Sequence, residues 1–269
     1  MDHLEAKYGR LKEIIKSMDS VLVAFSGGVD SSLLLKASIE AFPRENVLAV
    51  SAASELKPKW EQDEARKIAK MIGARFLPVR LRQLDNPGVR KNPENRCYIC
   101  RKALLAKMQR LAKENGLRHI ILGDNADDLH DIRPGYRASQ EMDIRSPLAE
   151  AGLTKSEIRE LSQRLGLPTW NKKPFPCLAT RFPFGEEITE EKARKIDQAE
   201  CFMRRLGIGD IRVRHHGTVA RIEVEPDDFQ KVLASRKKIH GKLKSLGYRY
   251  VSLDILGFRS GSMNEMIQK

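Results

Sequence analysis

The chain has 269 residues, enough for one large α/β domain with a smaller companion, and 41% of them are hydrophobic, the ordinary share for a globular protein. No apolar run of about 18 residues is present to span a bilayer, and the charged N-terminus MDHLEAKYGRLKEIIKSM lacks the apolar core of a secretion signal; a cytoplasmic location is the default expectation. Lysine and arginine outnumber aspartate and glutamate 49 to 36, a formal charge of +13 that draws anions, but aromatics are only 6%, too few for the stacking platform of a single-strand binder, so nucleotides and phosphorylated small molecules are favoured over nucleic acid.

The chain opens with an amphipathic helix, since Leu4, Leu11, Ile14, Ile15 and Met18 recur at helical spacing. Residues 20–25 (SVLVAF) form a short apolar run, read as a buried parallel strand, and SGGVDSS then leads into the helical LLLKASIEAF. A strand over 47–52, a helix over 59–72 and a strand over 75–79 repeat the pattern. Residues 80–96, broken by Pro87, Gly88 and Pro93, read as a loop, followed by a helix over about 99–115 and a strand over 119–123 that runs into DNADD. Thr154 and Glu157 fit a capping box at the start of a helix over 154–165.

Strands alternating with helices predict an α/β fold with a parallel twisted sheet, right-handed crossovers and ligands beyond the carboxyl ends of the strands. Both SGGVDSS and GDNADD lie at such ends. The proline-rich stretch 166–188 is irregular, and beyond it the character changes to a helix over 189–206, strands over 211–216 and 219–224, a mostly helical 227–246 and a strand over 249–255. The expected organisation is a nucleotide-binding domain over 1–170, a cysteine-bearing loop over 171–188 and a small α+β domain over 189–269 for substrate binding or oligomerisation.

Ser26, Gly27, Gly28, Asp30, Ser31 and Ser32 join a strand to a helix. Glycines allow close backbone approach and positive φ, helix amides attract an anion, the serine hydroxyls add donors, and Asp30 suits Mg²⁺. No Gly-Lys-Ser/Thr is present, so the loop is not a Walker A motif. It resembles the pyrophosphate-binding loop of the PP-loop ATP pyrophosphatases. That likeness implies an adenine nucleotide alpha hydrolase-like fold and cleavage of ATP between the α and β phosphates. Gly123, Asn125, Asp127 and Asp128 form a second element suited to Mg²⁺ or nucleotide, similar to the Gly-x-Asn-x-Asp-Asp run of that superfamily, and Ser51 is the expected adenine contact.

Cys97 and Cys100 lie in NRCYICRK and Cys177 in FPCLATRFPFG, flanked by Arg96, Arg101, Lys102 and Arg181, positive charges that favour thiolate. Three thiolates can hold three irons of a 4Fe-4S cluster and leave the fourth open to sulfide. A zinc site completed by His215 or His216, a redox pair and inert buried thiols are the competing readings, and Cys201, mid-helix among apolar neighbours, reads as core. Arg212 and Arg214 alternate on one strand and face the same way, which suits a phosphate.

The set SGGVDSS, GDNADDL..DIRPG, PCLATRFPFG and RVRHHG..ARIEV resembles the LarE family of ATP-dependent sulfur transferases over nearly the whole chain. The family acts on pyridinium-3,5-biscarboxylic acid mononucleotide and makes thiocarboxylates for the nickel-pincer nucleotide. The likeness implies ATP and Mg²⁺, a sulfide or other sulfur donor, a homohexamer, and Arg212 and Arg214 at the substrate phosphate. Thr180 and Arg181, beside Cys177, are read as further contacts to substrate or ATP phosphates, and Glu200 and Glu223 as candidates to orient the arginines. Lys102 and Arg181 are expected to stabilise charge during adenylation. Two family chemistries remain: a lone cysteine matching Cys177 that surrenders its sulfur and becomes dehydroalanine, or a cluster on Cys97, Cys100 and Cys177, the pattern this chain matches. His130 departs from the glycine expected in relatives. Competing functions are a tRNA thiolase, for which no RNA-binding appendage is seen, an ammonia-using ligase, and an ATP-gated cluster carrier.

Overall fold

The structure, a computed structural model, describes residues 2–130, 134–259 and 261–263. The chain divides into two compact units, one of residues 1–81 with 97–175, the other of 82–96 with 176–269. In this division residues 171–175 fall with the first unit and 82–96 with the second. The reason is local pairing: Gly185 N donates to Asn92 O at 2.9 Å, Ile188 N to Arg90 O at 2.8 Å, and Asn92 Nδ2 to Pro183 O at 2.6 Å.

In chain order the elements begin with α1 (His3–Lys16), β1 (Val21–Ala24), α2 (Val29–Ala41), β2 (Val47–Ser54), α3 (Lys59–Ile72) and β3 (Arg75–Leu81). Then come α4 (Pro87–Arg90), α5 (Arg96–Glu114), β4 (His119–Ile121), α6 (Pro134–Glu141), α7 (Pro147–Glu150) and α8 (Lys155–Arg164). The remainder is α9 (Glu190–Arg205), β5 (Ile211–His216), β6 (Val219–Val224), α10 (Phe229–Ala234), α11 (Arg236–Ser245) and β7 (Tyr250–Leu253). Among the described residues no helix is long and apolar enough to cross a membrane.

The first unit is built on a parallel sheet of order β3-β2-β1-β4. Its inner strands β1 and β2 are apolar on both faces because both are covered. Val21, Val23, Val47 and Ala49 face one core shared with Leu11, Ile15, Leu33, Ile68 and Ile158, while Leu22, Leu48 and Val50 face a second core with Leu105 and Met108. The capping box at α8 is present, with Thr154 and Glu157 satisfying each other's backbone amides.

The order reverses between β1 and β4: the chain moves outward through β2 and β3, then returns to the other side of β1. In an open parallel sheet that reversal opens a crevice beyond the carboxyl ends of the two strands. The segments leaving those ends are 25–28 and 122–128.

The second unit carries a sheet of order β5-β6-β7, with β5 and β6 antiparallel and β6 and β7 parallel. Alternation puts Ile211, Val213, Ala220, Ile222 and Val224 into a core with Ala199, Met203, Ile239 and Leu243. Arg212, Arg214 and Glu223 lie on the opposite face.

Candidate active site

In the first unit, Gly27 turns the backbone with φ of +77°, and a Cβ there would meet Ala65 Cα and Cβ, each at 2.9 Å. The loop thus lies against α3 with no room for a side chain. Gly28 precedes α2 with φ of −87°, and no side chain caps that helix. The amides of its first turn are consequently open to an anion. Ser26 Oγ accepts from Gly28 N at 3.2 Å and lies 3.0 Å from Ser31 Oγ, which donates to Gly28 O at 3.3 Å. Ser31 therefore braces the loop from within. Ser32 is fully buried, and its hydroxyl has no partner among the described residues. Ser51 is buried at 2% exposure and accepts from Lys57 Nζ at 3.4 Å.

A cavity of about 230 Å³ opens above this loop, lined by Ser26, Gly28, Asp30, Lys155, Lys172 and Phe175 among others. Phe175 packs edge-on against Trp60, ring centroids 5.1 Å apart. Asp30 presents a carboxylate whose Oδ2 accepts from Lys155 Nζ at 2.5 Å and whose Oδ1 accepts from Asn125 Nδ2 at 3.4 Å. The two sequence elements are therefore joined side chain to side chain.

The carboxylates of GDNADD hold the loop. Asp128 Oδ2 accepts from Asn125 N at 3.1 Å, Asp127 N donates to Asn125 Oδ1 at 3.0 Å, and Asp127 Oδ2 accepts from Lys155 N at 2.8 Å. Gly123 is required by closeness, since a Cβ there would meet Ser31 N at 3.1 Å. Residues 131–133 of the DIRPG run, and the side chain of His130, lie outside the described residues.

Sequence reasoning missed the cations around this loop. Lys172 Nζ donates to Gly27 O at 3.0 Å and pairs with Glu64 at 2.8 Å. Lys57 Nζ reaches Ser26 O at 3.3 Å, and burial, followed by Glu61 acting the other way and Lys172, leaves its pKa lowered. One signal was readable: Lys155 follows its N-cap Thr154 as the first residue of α8, where the helix dipole disfavours a cation.

The cradle fits Mg²⁺-bound triphosphate: open amides, a glycine turn with no space for a Cβ, a carboxylate for a hard cation and a surround of lysines.

Of the cysteines, Cys97 and Cys177 are exposed, Cys100 and Cys201 partly so. Cys97 and Cys100 occupy the first turns of α5, beside Arg101, whose Nη2 donates to Asp124 Oδ2 at 2.5 Å. Lys102, expected near the chemistry, is half exposed and pairs with Tyr98 at 3.0 Å and Glu141 at 3.3 Å. Among the described residues no group of three or more His, Cys, Asp or Glu side chains is placed to hold a metal ion. Cys201 Sγ donates to Asp197 Oδ1 at 3.6 Å, and burial pushes its thiol up to about 11; the residue is half-buried on its helix rather than part of a core cluster.

In the second unit, Cys177 begins a 3-10 turn, Leu178–Arg181. Arg181 is fully buried, gripping Glu200 through two bonds of 2.9 and 3.0 Å and the carbonyls of Pro176 and Cys177 at 2.9 and 3.3 Å. Its guanidinium positions the cysteine turn from inside the core. Thr180 Oγ1 donates to Cys177 O at 2.9 Å, and Thr180 O accepts from Arg214 Nη1 at 2.9 Å.

Arg214 also pairs with Glu223 at 2.7 Å, the orienting role expected of that glutamate. Glu200 instead serves Arg181 and Val213 N, at 3.0 Å for the latter. Arg212 is buried and stacks 4.8 Å over Phe258; burial first, then Arg181, pulls its pKa down to about 10. A cation held so is poised to gain from an anion.

His215 faces the core with Nδ1 3.1 Å from Tyr248 Oη. Its Nε2 approaches Glu186 at 3.1 Å but out of hydrogen-bonding direction.

Residues 2–132 match the family model of a PP-loop domain. Pyridinium-3,5-bisthiocarboxylic acid mononucleotide synthase of Lactiplantibacillus plantarum is 37% identical over 100% of this chain and 98% of its own. An uncharacterized protein of Synechocystis sp. is 40% identical over 99% of this chain and all of its own length. The glutamine-hydrolyzing GMP synthase of Thermus thermophilus is 27% identical over 68% of this chain and 39% of its own.

Proposed function

Because the chain belongs to the LarE family of PP-loop enzymes, we propose that it is an ATP-dependent sulfur transferase that turns a carboxylate of pyridinium-3,5-biscarboxylic acid mononucleotide into a thiocarboxylate. The observation that carries this reading is the extent of the likeness. It runs through both units against the Lactiplantibacillus synthase, but takes in only 68% of the chain against the Thermus GMP synthase.

The cavity of the first unit takes the triphosphate, its β and γ phosphates on the amides around Gly28 and the lysines. Mg²⁺, when bound, neutralises phosphate charge and polarises the α-phosphorus. Asp30 would hold it on this chain, with Asn125 orienting that carboxylate. A substrate carboxylate oxygen attacks the α-phosphorus, the bond to the bridging oxygen breaks, and pyrophosphate leaves. The lysines Lys155 and Lys172 face the charge that gathers on the departing oxygens. Sulfide sulfur then attacks the acyl carbon, forming C–S as the C–O bond to AMP breaks. Arg212 and Arg214, with Thr180, bind the phosphate of the substrate nucleotide.

Sulfur is assigned to Cys97, Cys100 and Cys177. Thiolates are the donors an iron–sulfur cluster requires, but among the described residues no three such ligands are grouped. Exposed Cys177 on a braced turn also suits the sacrificial chemistry. A homohexameric, cytoplasmic enzyme completes the proposal.

The test is incubation with ATP, sulfide and the biscarboxylate mononucleotide. Release of AMP and pyrophosphate, with product mass showing oxygen exchanged for sulfur, is expected, and Asp30→Asn abolishes both. Pyrophosphate release without any sulfur-containing product would refute the assignment. Anaerobically purified protein carrying iron and turning over repeatedly supports the three-cysteine cluster; dehydroalanine at position 177 after one turnover supports sacrifice instead.

A further inference from the structure

We infer that Lys155 is an exchangeable counter-ion, holding Asp30 before the divalent cation arrives and passing to the phosphates when it does. The inference rests on the proposed ATP site and adds a residue and an order of events to it.

Asp30 has both carboxylate oxygens engaged, Oδ1 by Asn125 and Oδ2 by the Lys155 ammonium at 2.5 Å. A divalent cation needs an oxygen of that carboxylate at about 2.0–2.1 Å for Mg²⁺. An ammonium 2.5 Å from that oxygen and a metal ion bound to it repel each other at short range, so the two compete for the carboxylate. Metal binding at Asp30 therefore displaces Lys155.

The displaced ammonium has a destination. Lys155 is the first residue of α8, and its own amide is fixed by Asp127 Oδ2 at 2.8 Å, so the backbone stays while the side chain swings. That side chain lines the same cavity as Ser26, Gly28 and Asp30. Phosphate oxygens brought in with the cation are then the nearest uncompensated negative charge. Lys172 differs: it is tied to the Gly27 carbonyl and to Glu64, and remains part of the wall. Departure of pyrophosphate with its cation returns Lys155 to Asp30, so the same side chain that grips the leaving group also closes the metal position behind it.

The swap predicts effects of opposite sign from one substitution, which a merely structural role would not produce. In nucleotide-free protein, Lys155→Gln should bind Mn²⁺ several-fold tighter by electron paramagnetic resonance, because the competitor is gone. Calorimetry with magnesium pyrophosphate should show binding weakened about tenfold, the loss of one charge-assisted contact, while AMP binding is unchanged. Lys155→Arg should restore pyrophosphate binding in large part. Unchanged or weaker Mn²⁺ binding in Lys155→Gln, or AMP weakened together with pyrophosphate, would overturn the inference and leave the ATP site standing. Failure of the unsubstituted protein to bind magnesium pyrophosphate at all would remove the site and the inference with it.

Discussion

Replacing Gly27 by alanine tests the loop geometry directly. The position has φ of +77°, and the added Cβ would lie 2.9 Å from Ala65 Cα, a backbone atom of α3 that cannot rotate aside. Left-handed backbone costs a residue with a Cβ about 1–2 kcal/mol. Overpacking adds typically about 1–3 kcal/mol. Taking about 3 kcal/mol together, melting should fall by about 6–12 °C, at about 2–4 °C per kcal/mol for a domain of this size. The neighbouring Gly28→Ala is the control: φ is −87°, and its Cβ would meet only Ser26 Oγ, at 3.3 Å, a side-chain atom rather than backbone. That variant should melt within a few degrees of the parent. Differential scanning calorimetry with and without Mg·ATP is the assay, and Gly27→Ala should also lose the nucleotide-induced rise in melting temperature. Equal stability of the two alanine variants, or Gly27→Ala with an intact nucleotide response, would refute the close packing of loop and helix.

Arg181→Met should destabilise the protein by about 3–5 kcal/mol in urea denaturation, because Glu200, 2% exposed, would keep an uncompensated buried charge; adding Glu200→Leu should recover part of that loss. His215 and His216 both have pKa values lowered by burial below the ordinary 6.5, so the folded state favours the neutral rings. Their stabilisation is complete above about pH 6.5 and is lost as pH falls from there through the lowered folded values; a plot of melting temperature against pH should drop on that side, and flatten in His216→Gln. With its thiol at about 11, Cys201 should resist iodoacetamide at pH 8 while exposed Cys97 and Cys177 are alkylated, as read by peptide mass spectrometry.

The alternation of strands and helices in the first unit was legible because its strands are short, apolar and ended by glycine-rich turns. The two loops at the strand ends followed from that pattern, and Asp30 and Asn125 do meet. What escaped notice depends on long-range pairing. The segment 82–96 reads as a loop of the first domain, but its backbone partners are near residue 185, about ninety positions away. Lys155 and Lys172 are ordinary lysines in a chain with many; only the fold brings them to the same cavity. Arg181 flanks Cys177 in the sequence, but its spacing to Glu200, nearly twenty residues on, carries no sign that it is buried with that partner.

The main chain passes from one unit to the other at 81/82, 96/97 and 175/176. Each unit is therefore assembled from separate stretches of the gene, and a single recombination point cannot trade one second unit for another. Joining a foreign partner after residue 175 would strand Arg90 and Asn92 without the carbonyls and amides of 183–188 that they pair with. A workable chimera must exchange the fifteen-residue insert together with the C-terminal part, so the two stretches are bound to be inherited as a set.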